Sequence, residues 1–265
     1  MKITWLTDIH LEFVDPPKLN RFIESVRKKG SDAVLISGDI GVAENTTNYL
    51  TQIAAKCAVP IYFVLGNHDF YRGSIKQVRA NVSRLCQRKS DLFWLSEIDP
   101  VWLNKKVALV GHDGWGDGRY GSLFQSKLML NDFELIDELS YLLFPTKKME
   151  VLNRLGDEAA QHIENQLNKA LPKCKKVVVL THVPPFPEAS RHAGGPSDDH
   201  GLPYFACKAV GDILVKFATS YPNHSFLVLC GHTHNAAHVH KLPNLEIKCG
   251  GARYGSPKIQ EVLDI

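Results

Sequence analysis

The chain has 265 residues, 44% of them hydrophobic and 22% charged, and a formal net charge of +3 at pH 7. That length supports one large core, so a single domain over residues 1–265 is expected. The charge is small and scattered in clusters such as Arg27-Lys28-Lys29 and Lys147-Lys148, which calls for no nucleic acid, and no apolar run is long enough to cross a membrane.

Residues 3–6 read as a buried strand at the very start, so no cleavable leader is expected. Further apolar runs at 33–36, 61–65, 177–180 and 226–229 read the same way. Helical periodicity at 18–28, 46–56, 74–88 and 205–219 separates most of them. Alternating strands and helices predict a largely parallel sheet, with ligands beyond the carboxyl ends of the strands. Residues 101–103 and 106–110 predict an antiparallel hairpin. Residues 123–171 show helical spacing broken at Phe144-Pro145-Thr146, which predicts a helical insertion serving as scaffold. Residues 238–241, 245–249 and 258–263 read as antiparallel strands that complete a second sheet. Six cysteines, Cys57, Cys86, Cys174, Cys207, Cys230 and Cys249, have no paired spacing. They point to packing roles, a reducing compartment and a cytoplasmic location.

Five short patches follow the predicted strands: Asp8-Ile9-His10, Gly38-Asp39, Gly66-Asn67-His68-Asp69, Thr181-His182 and Gly231-His232-Thr233-His234. One Asp-x-His or Gly-Asp at a strand end is ordinary turn chemistry. Five at the same edge are not. Asp, His and Asn donors without Cys argue against a thiolate-rich structural zinc site and suit Mn, Fe, Zn or Co. Two such ions about 3.5–4 Å apart need a ligand that touches both, and Asp39, at the end of a central strand, is expected to bridge.

The ordered pattern D-x-H, G-D, G-N-H-D, a lone His and G-H-x-H, from Asp8 to His234, resembles the calcineurin-like metallophosphoesterase superfamily over nearly the whole chain. The resemblance implies an α/β fold, a four-layer αββα sandwich with two mixed β-sheets and a dinuclear metal site at the strand C-terminal ends. It implies two divalent metal ions (Mn2+, Fe2+/Fe3+, Zn2+ or Co2+), with Mn2+ expected to support activity in vitro. Asp8, His10, Asp39 and His234 would hold one, and Asp39, Asn67, His182 and His232 the other. His68 would face the substrate without binding metal, and Asp69 would orient His68 or its loop.

The activity so implied is hydrolysis of phosphate esters of a small soluble substrate, by a water activated between the cations. A cyclic or linear nucleotide phosphodiesterase would use the same metals. A non-catalytic scaffold is the remote alternative, and retention of His68 argues against it. No arginine follows Gly38-Asp39 as in the protein Ser/Thr phosphatase branch, and His68 stands where the lipid-sugar diphosphate hydrolase branch has arginine. Two loops are expected to choose the substrate. Residues 111–121 carry His112, Trp115, Arg119 and Tyr120, with Arg119 placed to grip a phosphate oxygen and Trp115 or Tyr120 to meet an organic leaving group. Residues 183–203, directly after His182, carry His192 and His200.

Overall fold

The computed structural model describes residues 1–265. Strands β1 (Lys2–Leu6), β2 (Ala33–Ser37), β3 (Ile61–Val64) and β4 (Leu92–Trp94) lie side by side in that order, all parallel. Helices α1 (Pro16–Arg27), α2 (Thr46–Cys57) and α3 (Ile75–Arg88) connect them. The helix starts are written locally. Asp15 accepts the Lys18 N–H ahead of Pro16, and Ser74 accepts that of Gln77.

The expected hairpin, β5 (Val101–Asn104) and β6 (Val107–His112), carries the chain to a second sheet, where β7 (Lys176–Thr181) pairs in parallel with β6. A small outlying hairpin, β8 (Arg191–His192) and β9 (Gly195–Pro196), precedes β10 (Ser225–Cys230), which lies beside β7. β11 (Ala237–Leu242) and β12 (Leu245–Cys249) extend that sheet to the order β11-β12-β10-β7-β6-β5. The last strand, β13 (Glu261–Asp264), does not join them as its sequence suggests. It pairs antiparallel with β1, covering an edge that would otherwise expose unpaired backbone and burying Leu263 between the sheets.

The central strands of both sheets are apolar on both faces, which is why they read as continuous hydrophobic runs. In β2, Val34 and Ile36 meet the helices while Ala33 and Leu35 meet the other sheet. Trp5, Val64, Leu109, Val178, Leu180 and Leu229 fill the layer between sheets.

Residues 123–171 are mostly helical, with helices of very unequal length. The segment contains two single-turn helices, α4 (Asp132–Leu135) and α5 (Asp137–Ser140), then one long helix, α6 (Pro145–Ala170). Between α4 and α5, Ile136 is fully buried and extended, bridging to Gly73, and Asp137 N–H donates to the Gly73 carbonyl. That tertiary pairing overrides helical periodicity. α6 packs on the outer face of the second sheet together with α8 (Lys208–Ser220), which follows the single turn α7 (Leu202–Phe205). No helix is long and apolar enough to cross a membrane.

Candidate metal centre

The patches occupy tight turns just beyond strand ends. Asp8, His10, Asp39, His232 and His234 have φ of 47°, 40°, 52°, 72° and 59°, five of the eight non-glycine residues with positive φ. Such backbone costs about 1–3 kcal/mol per residue and gathers where function requires it. Two glycines let the turns touch. A Cβ on Gly66 would lie 2.2 Å from Asp39 Oδ1, and one on Gly231 would lie 2.0 Å from Asp8 Oδ2.

Asp8, His10, Asp39 and His234 bring one ligand atom each within 4.8 Å of one another. His10 Nε2 is 3.0 Å from His234 Nε2 and 3.5 Å from Asp39 Oδ2, and His234 Nε2 is 3.5 Å from Asp8 Oδ1. In a second group, Asn67 Oδ1 is 3.1 Å from His182 Nε2 and 3.0 Å from His232 Nδ1. Those nitrogens are 3.2 Å apart, and His182 Nε2 is 3.4 Å from Asp39 Oδ1. Asp39 turns one oxygen toward each group.

Proton accounting shows what the second group can hold. His182 Nδ1–H donates to the Ser37 carbonyl at 2.9 Å, and His232 Nε2–H donates to that of Tyr204 at 3.2 Å. Asn67 Nδ2 donates to the Tyr71 hydroxyl at 3.1 Å and to Asp132 Oδ1 at 2.8 Å. With both rings neutral, all protons are therefore spent outward. Asp39 Oδ1, Asn67 Oδ1, His182 Nε2 and His232 Nδ1 face one another as lone pairs, which is stable only with positive charge among them. Burial opposes a charged His182, yet Asp39 outweighs it and lifts that ring to about 10. Burial, then His182, pushes His232 down to about 3. A sulfur-free N/O donor set that draws in positive charge fits a divalent cation.

A family model for calcineurin-like phosphoesterases matches residues 1–236, a span that includes every patch. The chain belongs to that family. Among solved structures it resembles a phosphopantetheinyl hydrolase from Mycobacterium tuberculosis, with TM-score 0.65 and 11% identity over 96% of this chain and 90% of that one. A dimetal phosphatase from Danio rerio gives TM-score 0.60 and 14% identity over 97% and 89%. At such identities the likeness is one of fold. No curated protein sequence matches.

In this phosphoesterase, His68 stands beside the two groups of candidate ligand atoms and points elsewhere. Its ring stacks on Tyr71 with centroids 4.2 Å apart, its Nδ1 is 3.8 Å from Glu12 Oε1, and its Nε2 is 3.5 Å from the Tyr254 hydroxyl. Asp69 does not touch that ring. Its carboxylate is fully buried and accepts the N–H groups of Ile40, Gly41 and Gly66 and the Thr46 hydroxyl, fastening the Asp39 turn to the Asn67 turn. Burial, then Asp39, pushes its carboxyl up to about 7 against those donors.

Three of the residues expected on the substrate side lie away from the cleft. Arg119 is committed to Asp117 at 3.0 Å and Asp157 at 2.7 Å. Trp115 is buried against Phe70, and His112 is buried at the end of β6, where its Nδ1 accepts the Gly114 N–H. None of the three lines the cleft above the candidate ligand atoms. The 111–121 glycines allow close packing rather than a mobile rim, since a Cβ on Gly116 would lie 2.0 Å from the Tyr204 carbonyl oxygen. His192 does line the cleft, and His200 lines the neighbouring depression.

Sequence reasoning missed four residues of this phosphoesterase's site. Glu12 Oε1 lies 3.4 Å from His10 Nδ1 and also faces His68; burial opposes its charge, but those two rings hold its carboxyl at about 2. Its spacing two residues after His10 was the available signal. Asp132 accepts from Asn67 and, at 2.7 Å, from the Tyr71 hydroxyl. Tyr71 flanks His68, and Tyr254 lies tilted against His10 and edge-on to His234.

Proposed function

We propose that this phosphoesterase, a single domain acting in the cytoplasm, hydrolyses the phosphate ester bond of a small soluble substrate. Asp8, His10, Asp39 and His234 would hold one divalent cation, and Asp39, Asn67, His182 and His232 the other, with Mn2+ the ion expected to support turnover in vitro. The observation that carries this reading is the convergence of four lone-pair atoms whose protons are all spent outward. Bound cations would supply positive charge for the phosphate oxygens and an acidified water. The chain's own residues do the rest. Asp39 spans the two groups, Glu12 holds the rings of His10 and His68, and His68 donates a proton to the leaving oxygen.

Elemental analysis should find two cations per chain. Chelation should abolish turnover of an aryl phosphate ester, and Mn2+ should restore it. Fewer than two cations with full turnover would refute the dinuclear reading.

Asp132 supplies a separate check through Asn67, whose amide oxygen faces the site only while its NH2 is held outward. Asp132→Ala should weaken metal binding in the Asn67 half about 10–100-fold, the usual effect of removing a ligand's hydrogen-bond partner. Asp132→Asn keeps an accepting oxygen and should restore most of it. A metal titration unchanged in Asp132→Ala would leave Asp132 a packing role only.

A further inference from the structure

The cleft does not end above the metal ligands. Through His192, Ala193 and Phe205 it opens into a depression of about 400 Å³ that reaches Lys127 and His200. Through His68, Tyr71, Asn131 and Tyr254 it opens in the other direction into one of about 500 Å³, bounded by Phe13 and Arg72. A phosphomonoester has one organic arm and would leave one side empty. A phosphodiester has two.

We propose, resting on the phosphoesterase reading above, that the substrate is a phosphodiester whose two arms occupy the two depressions, with the leaving arm on the Phe13 side. His68 sets that direction. It lines both the central cleft and the Phe13 depression, with its Nε2 beside the Tyr254 hydroxyl, so its proton reaches an oxygen entering from that side. Phe13 and Tyr254 are 55% and 48% exposed, large for aromatic side chains, with centroids 4.9 Å apart. They offer a stacking surface for a planar leaving arm. The retained arm meets His192 and Phe205, whose rings lie 5.1 Å apart. The central cleft is lined by no lysine or arginine. That suits a diester, whose phosphate carries one negative charge where a monoester's carries up to two.

The chemistry balances with water alone. Water oxygen bonds to phosphorus as the bond to the leaving oxygen breaks; that oxygen takes the proton of His68 and departs as an alcohol or phenol. The retained arm keeps the phosphate as a monoester, and a proton from the attacking water returns to His68 through solvent.

The test compares kcat/KM of the metal-loaded enzyme for bis(p-nitrophenyl) phosphate and p-nitrophenyl phosphate, which share a leaving group. The diester should be favoured by about tenfold or more, the order expected of one stacked ring. Phe13→Ala should cut kcat/KM for the diester by about fivefold or more. Ala193→Trp, at the exposed junction toward the retained arm, should lower the diester-to-monoester ratio. A wild-type ratio below tenfold overturns the diester assignment while the phosphoesterase reading stands. A ratio unmoved by Ala193→Trp, or a diester rate unmoved by Phe13→Ala, overturns the placement of the arms. Hydrolysis of neither ester with two cations bound overturns the phosphoesterase reading itself.

Discussion

Asp39→Asn should strip both cations from the protein and abolish turnover. Asp39 Oδ2 lies 3.5 Å from His10 Nε2 and Oδ1 lies 3.4 Å from His182 Nε2, so one carboxylate serves both halves. The amide removes a negative charge and replaces one accepting oxygen with an NH2 that projects into a field of lone pairs. Either orientation disables one half directly and weakens the other. Loss of a ligand's supporting partner alone costs about 10–100-fold in affinity, so loss of a ligand shared by two cations should exceed that in each half. Asn tolerates the left-handed backbone at this position, where φ is 52°, so the fold should survive and the loss can be read as one of charge. Circular dichroism and elemental analysis, run beside kcat, separate these effects. Two cations retained with near-normal turnover would remove Asp39 from the bridging position.

The convergence of the five patches was legible because each is local: two or three residues beyond an apolar strand, with the strand fixing where they point. Glu12 obeys the same rule and could have been read, since it follows His10 by two residues in the same turn. Asp132, Tyr71 and Tyr254 could not. Asp132 reaches Asn67 across 65 residues of sequence, from a segment whose helical periodicity is broken by Ile136 pairing with Gly73. β13 was recognisable as a strand, but its sheet depends on which edge lies free, and only the packed fold decides that. Arg119 misled for the opposite reason. Glycine-rich sequence around an arginine resembles a phosphate loop, whereas here the glycines allow backbone contact with Tyr204 and the guanidinium answers Asp117, a buried carboxylate that also receives the Ala209 N–H. The elements that follow from period and length were predictable from the sequence. Those set by long-range polar pairing were not.

His68→Ala should keep both cations and lose kcat, most severely on esters with poor leaving groups. The ring is 14% exposed, stacked on Tyr71 and grouped with Glu12 and His10 rather than with the two sets of candidate ligand atoms that Asp39 spans. Burial opposes its charge, but Asp39, then Glu12, holds its pKa above the ordinary histidine value. Cations beside Asp39 would cancel that carboxylate's part and leave Glu12 as the main support. A general acid works while protonated, so kcat should hold level on the acid side and fall as pH rises through the His68 pKa. Glu12→Gln should move that fall to lower pH, since the neutral amide supports the imidazolium less. General acid assistance is typically worth about 10²–10⁴-fold, and an alkyl ester, whose alkoxide needs the proton, should show nearly all of it while a nitrophenyl ester shows less. His68→Asn should recover little if a proton is transferred and more if a hydrogen bond suffices. Metal content, kcat on both esters and the pH profile belong in one experiment. Loss of a cation in His68→Ala would make His68 a ligand, and an equal loss on both esters would leave it stabilising charge on the phosphate without giving up its proton.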